Sequence, residues 1–105
     1  MLEINMEGKT LEITPEATKK IKELMESKGL AGYGLRFSIE KAGHVSYVYN
    51  MDFEKKATKD EIVLEENGLK IFIPKGNLKL LEGCRIEYIE ADGGFKIINP
   101  NVKSS

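Results

Sequence analysis

The chain has 105 residues, 41% hydrophobic and 31% charged, with 16 basic and 17 acidic side chains and a formal net charge of −1. That balance suits one domain around one modest core, burying roughly 60–65% of the surface its unfolded form exposes, and it excludes a disordered chain. The charges are interleaved, so there is no basic stripe for nucleic acid, and no apolar run is long enough to cross a bilayer.

The first stretch, "MLEINMEGKTLEI", alternates. Leu2, Ile4 and Met6 fall on one face, Glu7-Gly8 makes a two-residue turn, and Leu11 and Ile13 continue the pattern. An N-terminal hairpin is expected over 1–12. Acidic residues stand where a secretory signal would be basic, so a cytoplasmic location is expected.

"TPEATKKIKELMESKG" has helix punctuation. Thr14 suits the N-cap, Pro15 the first helical position and Glu16 the positive end of the dipole. Ala17, Ile21, Leu24 and Met25 form one apolar stripe, expected to face the core. Gly29 ends the helix.

From residue 33 the period changes to two. "YGLRFSIEK" puts Leu35, Phe37 and Ile39 on one face. "HVSYVYNMDF" puts Val45, Tyr47, Tyr49, Met51 and Phe53 on one face, with His44, Ser46, Val48, Asn50 and Asp52 on the other. "KAGH" is the turn between them. "EKKATKDE" is a polar loop. "IVLEENGLKIFIP" is a second hairpin, with Asn67-Gly68 as the strongest turn signal in the chain. "GNLKLLEG" is a short helical turn. "CRIEYIE" and "GFKIIN" form a last strand pair around Asp92-Gly93-Gly94, and the tail over 100–105 has no apolar period. The expected fold is α+β: one main N-terminal helix and seven or eight short, mostly antiparallel strands in one domain over 1–105.

Catalytic sets fail on residue count. His44 is the one imidazole, and nothing supplies an orienting acid or an oxyanion hole for Ser46. No phosphate loop is present, because "GLAGYG" lacks the lysine and the strand–loop–helix setting. No enzyme is expected. The single cysteine, Cys84, cannot form an internal disulfide or build a metal site alone, and strand parity places it with Ile86 and Tyr88 as a small buried thiol. Lysine and glutamate dominate the charges and glutamine is absent, a composition that leans toward proteins working at high temperature.

The order of the segments says more. "ITPEATKKIKEL", "GYGLRFSIEKAG", "YVYNMDF", "DEIVLEENGLKIFIP", "LKLLEGCRIEY" and "GGFKIINPN" follow one another as in the A-type iron–sulfur carrier family, HesB/IscA, which the chain resembles over about 90 residues. The resemblance implies a compact β-rich fold with one main helix, assembled as dimers or larger. It also implies a role in iron–sulfur cluster assembly, with assembly or recipient proteins as partners. The family holds iron or a [2Fe–2S] cluster on three thiolates, one in a G-C-S-G turn and two in a C-G-C tail, and soft thiolates suit such clusters.

Here the turn reads "GHVS", so His44 stands at the first ligand position, and the tail reads "NPNVKSS". Cys84 matches no family ligand. His44 then reads two ways. It is a metal ligand, binding iron or zinc weakly with its mate in a dimer and with help from Tyr47, Asp52 or solvent. Or it is a polar residue at a turn, the favoured reading. No cofactor is expected for these 105 residues as they stand. The function expected is that of a family member degenerate in cluster binding, and the alternative is a protein-interaction module on the same fold with no metal role.

Overall fold

The computed structural model describes residues 11–43 and 46–102. Glu12–Ile13 is strand β1, Pro15–Ser27 helix α1, Gly34–Ala42 strand β2 and Ser46–Glu54 strand β3. Glu61–Glu66 is β4 and Leu69–Pro74 is β5. A single 3₁₀ turn, Lys75–Asn77, leads into a four-residue helix α2, Leu78–Leu81. Arg85–Ile89 is β6 and Gly94–Ile98 is β7.

The strands form two sheets, in the orders β3-β2-β5-β4 and β1-β6-β7. β2–β3, β4–β5 and β6–β7 pair antiparallel, and β1–β6 and β2–β5 pair parallel. The expected α+β class, main helix and hairpins are present. Of the hairpin expected over 1–12, residues 1–10 lie outside the described residues, and Glu12–Ile13 runs beside Arg85–Ile86.

The helix stops are local chemistry. Thr14 Oγ1 accepts from the Ala17 N–H at 3.2 Å, and Pro15 follows at the first helical position. At the other end Gly29 takes φ +73, its N–H donates to Glu26 O at 3.1 Å, and the Leu30 N–H donates to Met25 O at 2.8 Å. That pair of bonds is a Schellman cap, and Gly29 permits it because it has no Cβ. Ala17, Ile21 and Met25 are buried as expected, but Leu24 is only partly so, and Thr18 takes the fourth buried place. Thr18 can do this because its hydroxyl donates to Thr14 O at 3.0 Å.

Strand parity is as the period-two pattern predicts. Leu35, Phe37 and Ile39 of β2 enter the core with Leu69, Ile71 and Ile73 of β5, and Tyr47, Tyr49, Met51 and Phe53 of β3 pack against it. Asn67 and Gly68 take φ +53 and +81, the doubly left-handed turn that two-residue hairpins require. Asn67 also docks the hairpin on α1: its Nδ2 donates to Ile13 O at 3.0 Å and to Thr18 Oγ1 at 3.1 Å. Phe72 is buried on the opposite face of the same sheet, where its ring lies over Gly34. A Cβ at Gly34 would fall 2.5 Å from the ring.

Candidate functional site

The β2–β3 hairpin is nine residues on each strand and outruns β5, which pairs only at Leu35↔Ile71 and Arg36↔Phe72. Where β5 stops, Asn77 takes over: its Oδ1 accepts from the Ile39 N–H at 2.9 Å. The far half of the hairpin therefore projects past the sheet, and its last described pair is Ala42↔Ser46. His44, the candidate metal ligand, belongs to the tip and lies outside the described residues.

The C-terminal stretch reaches the same hairpin. Asn99 Nδ2 donates to the Tyr49 hydroxyl at 3.0 Å and to Leu80 O at 2.9 Å. Asn101 Nδ2 donates to Leu80 O at 3.1 Å and to Glu82 O at 2.7 Å. The end of α2 leaves carbonyls without helical partners, and the two asparagines of "NPN" supply donors to them. The Asn101 N–H closes a turn onto Asn99 Oδ1 at 2.9 Å, and Val102 packs on the core. Tyr49 in turn stacks on Phe37, with ring planes 2° apart and centroids 5.8 Å apart. Along β3, Tyr49 is three residues from Ser46, about 10 Å at the usual rise per residue. The fold thus pins the tail, with no helix or strand of its own over 99–102, close to the hairpin end that carries position 44.

The other candidates do not join them. Asp52 pairs with Arg36 near the base of the hairpin, six residues from Ser46, or about 20 Å by the same rise, and points to the face opposite Tyr47. It therefore cannot assist a ligand at the tip of its own chain. Cys84 is fully buried just before β6. Burial pushes its thiol up to about 11, offset in part by the Arg85 N–H. A thiol so placed stays protonated near neutral pH, and the thiolate is the ligating form. Among the described residues no group of three or more His, Cys, Asp and Glu side chains converges in a way that could hold a metal ion. The donors among the described residues do not make up the four ligands of a [2Fe–2S] cluster.

One ionic cluster was not legible as pairs of charges in the sequence. Arg36 of β2 bonds Glu61 of β4 through two nitrogens, with Nη2–Oε1 at 3.1 Å, and Glu54 of β3 at 3.0 Å. The Thr58 N–H donates to Glu61 Oε1 at 2.9 Å. The Arg36 bond holds the Glu61 carboxyl below the usual carboxylate range. Both Glu61 oxygens have partners, so the cluster reads as a clamp across three strands, not as a reactive site.

Comparison with known proteins gives the same frame. A family model described as "Iron-sulphur cluster biosynthesis" matches residues 9–105. The Iron-binding protein IscA of Enterobacter sp. (strain 638) is 29% identical over 96 residues, covering 90% of this chain and 89% of the relative. A crystal structure of IscA with the [2Fe-2S] cluster superposes with a TM-score of 0.78 at 24% identity, covering 91% of this chain and 90% of the other. The Escherichia coli SufA structure gives 0.73 at 22% identity, covering 95% and 100%. The fold of the two sheets and α1 is theirs, and the chain belongs to the iron–sulfur cluster biosynthesis family of A-type carriers.

Proposed function

We propose that this chain serves iron–sulfur cluster biosynthesis by binding proteins, including a second copy of itself, and not by carrying a cluster on its own thiolates. The observation behind this is Cys84. The one thiol of the 105 residues is fully buried just before β6 and disfavoured as thiolate. A [2Fe–2S] cargo needs four ligands. A symmetric pair of chains contributes two His44 imidazoles, and nearby oxygen donors suit harder ions. The role is one of binding, not of catalysis. Residual affinity is weak and directed to iron or zinc at His44.

Titration of zinc or ferric iron into the purified protein tests the site. His44→Ala should abolish the weak binding and Cys84→Ser should leave it unchanged. Tight binding that survives His44→Ala would count against the proposal.

A second reading, an interaction module with no metal role, draws on the sheet edges. β3 and β4 are both edge strands, and Val63 on β4 is 53% exposed. Exposed edges of this kind offer backbone groups to an added strand. Protein binding with no metal response in either titration would favour it.

A further inference from the structure

Asn67-Gly68 is the one Asn-Gly pair in the 105 residues. Asparagine is chemically labile, and most so before glycine, whose backbone nitrogen no side chain shields. This tip of the β4–β5 hairpin is exposed, so water reaches it. Its amide is nevertheless clasped. Nδ2 donates to Ile13 O at 3.0 Å and to Thr18 Oγ1 at 3.1 Å, which uses both amide hydrogens. Thr18 is 4% exposed, and its hydroxyl proton is spent on Thr14 O at 3.0 Å, so the oxygen is left to accept. Lys22 Nζ adds a third tie, to Asn67 O at 3.1 Å.

We propose that Asn67 is a site of spontaneous modification, cyclising onto Gly68 and opening to aspartate or isoaspartate, and that its clasp on β1 and α1 sets how fast. The Gly68 nitrogen loses its proton to base and bonds Asn67 Cγ, the Cγ–Nδ2 bond breaks, and Nδ2 leaves as ammonia. Water then opens the five-membered imide at either carbonyl. No oxidant or reductant takes part. The ring needs the Gly68 nitrogen on the Cβ side of the Asn67 Cα–C bond. Asn67 has φ +53, and a left-handed residue, with ψ about +47°, holds that nitrogen nearly opposite Cβ. The turn therefore has to leave its native form, and Nδ2 its two acceptors, before the ring closes. The rate follows how often the hairpin tip opens from α1. The change is also one-way. Aspartate at 67 has no amide hydrogens for Ile13 O and sets a charge against it. Isoaspartate routes the backbone through Cβ and lengthens a two-residue turn by one atom, against the Glu66↔Leu69 register. Either product loosens the hairpin from α1. None of this depends on how, or whether, the chain binds metal.

Ageing the purified full chain at mildly alkaline pH, with mass spectrometry of the peptide that holds residue 67, tests it. The folded parent should convert, at a rate about 10-fold or more below that of the same chain in urea. Thr18→Val removes one acceptor and should speed conversion of the folded chain by roughly 2–10-fold, the weight of one hydrogen bond. Thr18→Ser keeps the hydroxyl and should keep the parent's rate. So should Ile39→Val, a change in the core of β2, which separates the clasp from a general loss of stability. Asn67→Asp should lower Tm by roughly 4–8 °C. Equal rates in the folded chain and in urea would overturn the proposal, as would a folded chain that stays intact while the urea sample converts fully. So would a Thr18→Val rate no higher than that of Ile39→Val, or an Asn67→Asp protein that melts with the parent.

Discussion

Asn99 joins the tail to the β2–β3 hairpin, with one amide nitrogen 3.0 Å from the Tyr49 hydroxyl and 2.9 Å from the Leu80 carbonyl. Tyr49→Phe keeps the stack on Phe37 and removes the acceptor, so it should cost about 0.5–1.5 kcal/mol, the net worth of one ordinary hydrogen bond. Asn99→Ala should cost more, since both bonds go. The Leu80 carbonyl keeps Asn101 as a donor, so the double variant Asn99→Ala/Asn101→Ala should cost more than the two single changes summed. Urea unfolding of the four proteins measures this, and strict additivity would show that the two asparagines do not share that carbonyl.

The Arg36–Glu61 pair sets an acid limit on stability. Its bond to Arg36 lowers the Glu61 carboxyl in the folded state. A depressed acid contributes stability that is present above its unfolded value, about 4.3, and lost as pH falls through the folded one. The parent should therefore lose stability below about pH 4.3 more steeply than Glu61→Gln. At neutral pH Glu61→Gln should cost about 1–3 kcal/mol, the range for a lost bond to a charged partner. Glu54, whose side chain is 41% exposed, should matter far less when changed to Gln. Denaturation curves across pH 3–7 would reveal it, and parallel pH profiles would remove the clamp.

Gly34 is held by sterics. Its missing side chain makes room for the Phe72 ring, with the Lys70 carbonyl 3.2 Å from where a Cβ would stand. Gly34→Ala should cost about 1–3 kcal/mol by overpacking. Gly34→Ala combined with Phe72→Leu should recover part of the loss. A single variant that melts with the parent would mean the ring moves aside freely.

Helix α1 offers a graded test of its buried face. Ile21 is 1% exposed, whereas Leu24 sits at the margin. Ile21→Asp should cost about 3 kcal/mol or more as a buried unpaired charge, and Leu24→Asp clearly less. Equal losses would place both side chains in the core.

Much of this fold is written locally. Thr14-Pro15, Gly29 and Asn67-Gly68 act through their own backbone preferences, and the alternation over 33–53 fixes which side chains enter the core. The parallel pairs β1–β6 and β2–β5 join residues some 35 to 75 positions apart, and no local period encodes such a partner. Phe72 breaks the in–out rule because its cover is a glycine on a neighbouring strand. At the site, Cys84 was legible as a buried thiol from strand parity alone. "NPN" stood out as a stretch that resembles the family, but its physical role, donors for the end of α2, appears only once β7 brings it there. His44 lies outside the described residues, so its role at the hairpin tip stands on resemblance and chemistry.

Anaerobic reconstitution with iron and sulfide, followed by desalting and a visible spectrum, bears most directly on the proposal that this chain serves without a cluster on its own thiolate. The fully buried Cys84 thiol, pushed up to about 11, predicts a desalted protein with no sulfide-to-iron charge-transfer absorption, identical in the parent and in Cys84→Ser. A cluster band that survives desalting would contradict it, and a band that vanished in Cys84→Ser would also show that this thiol leaves the core to bind iron.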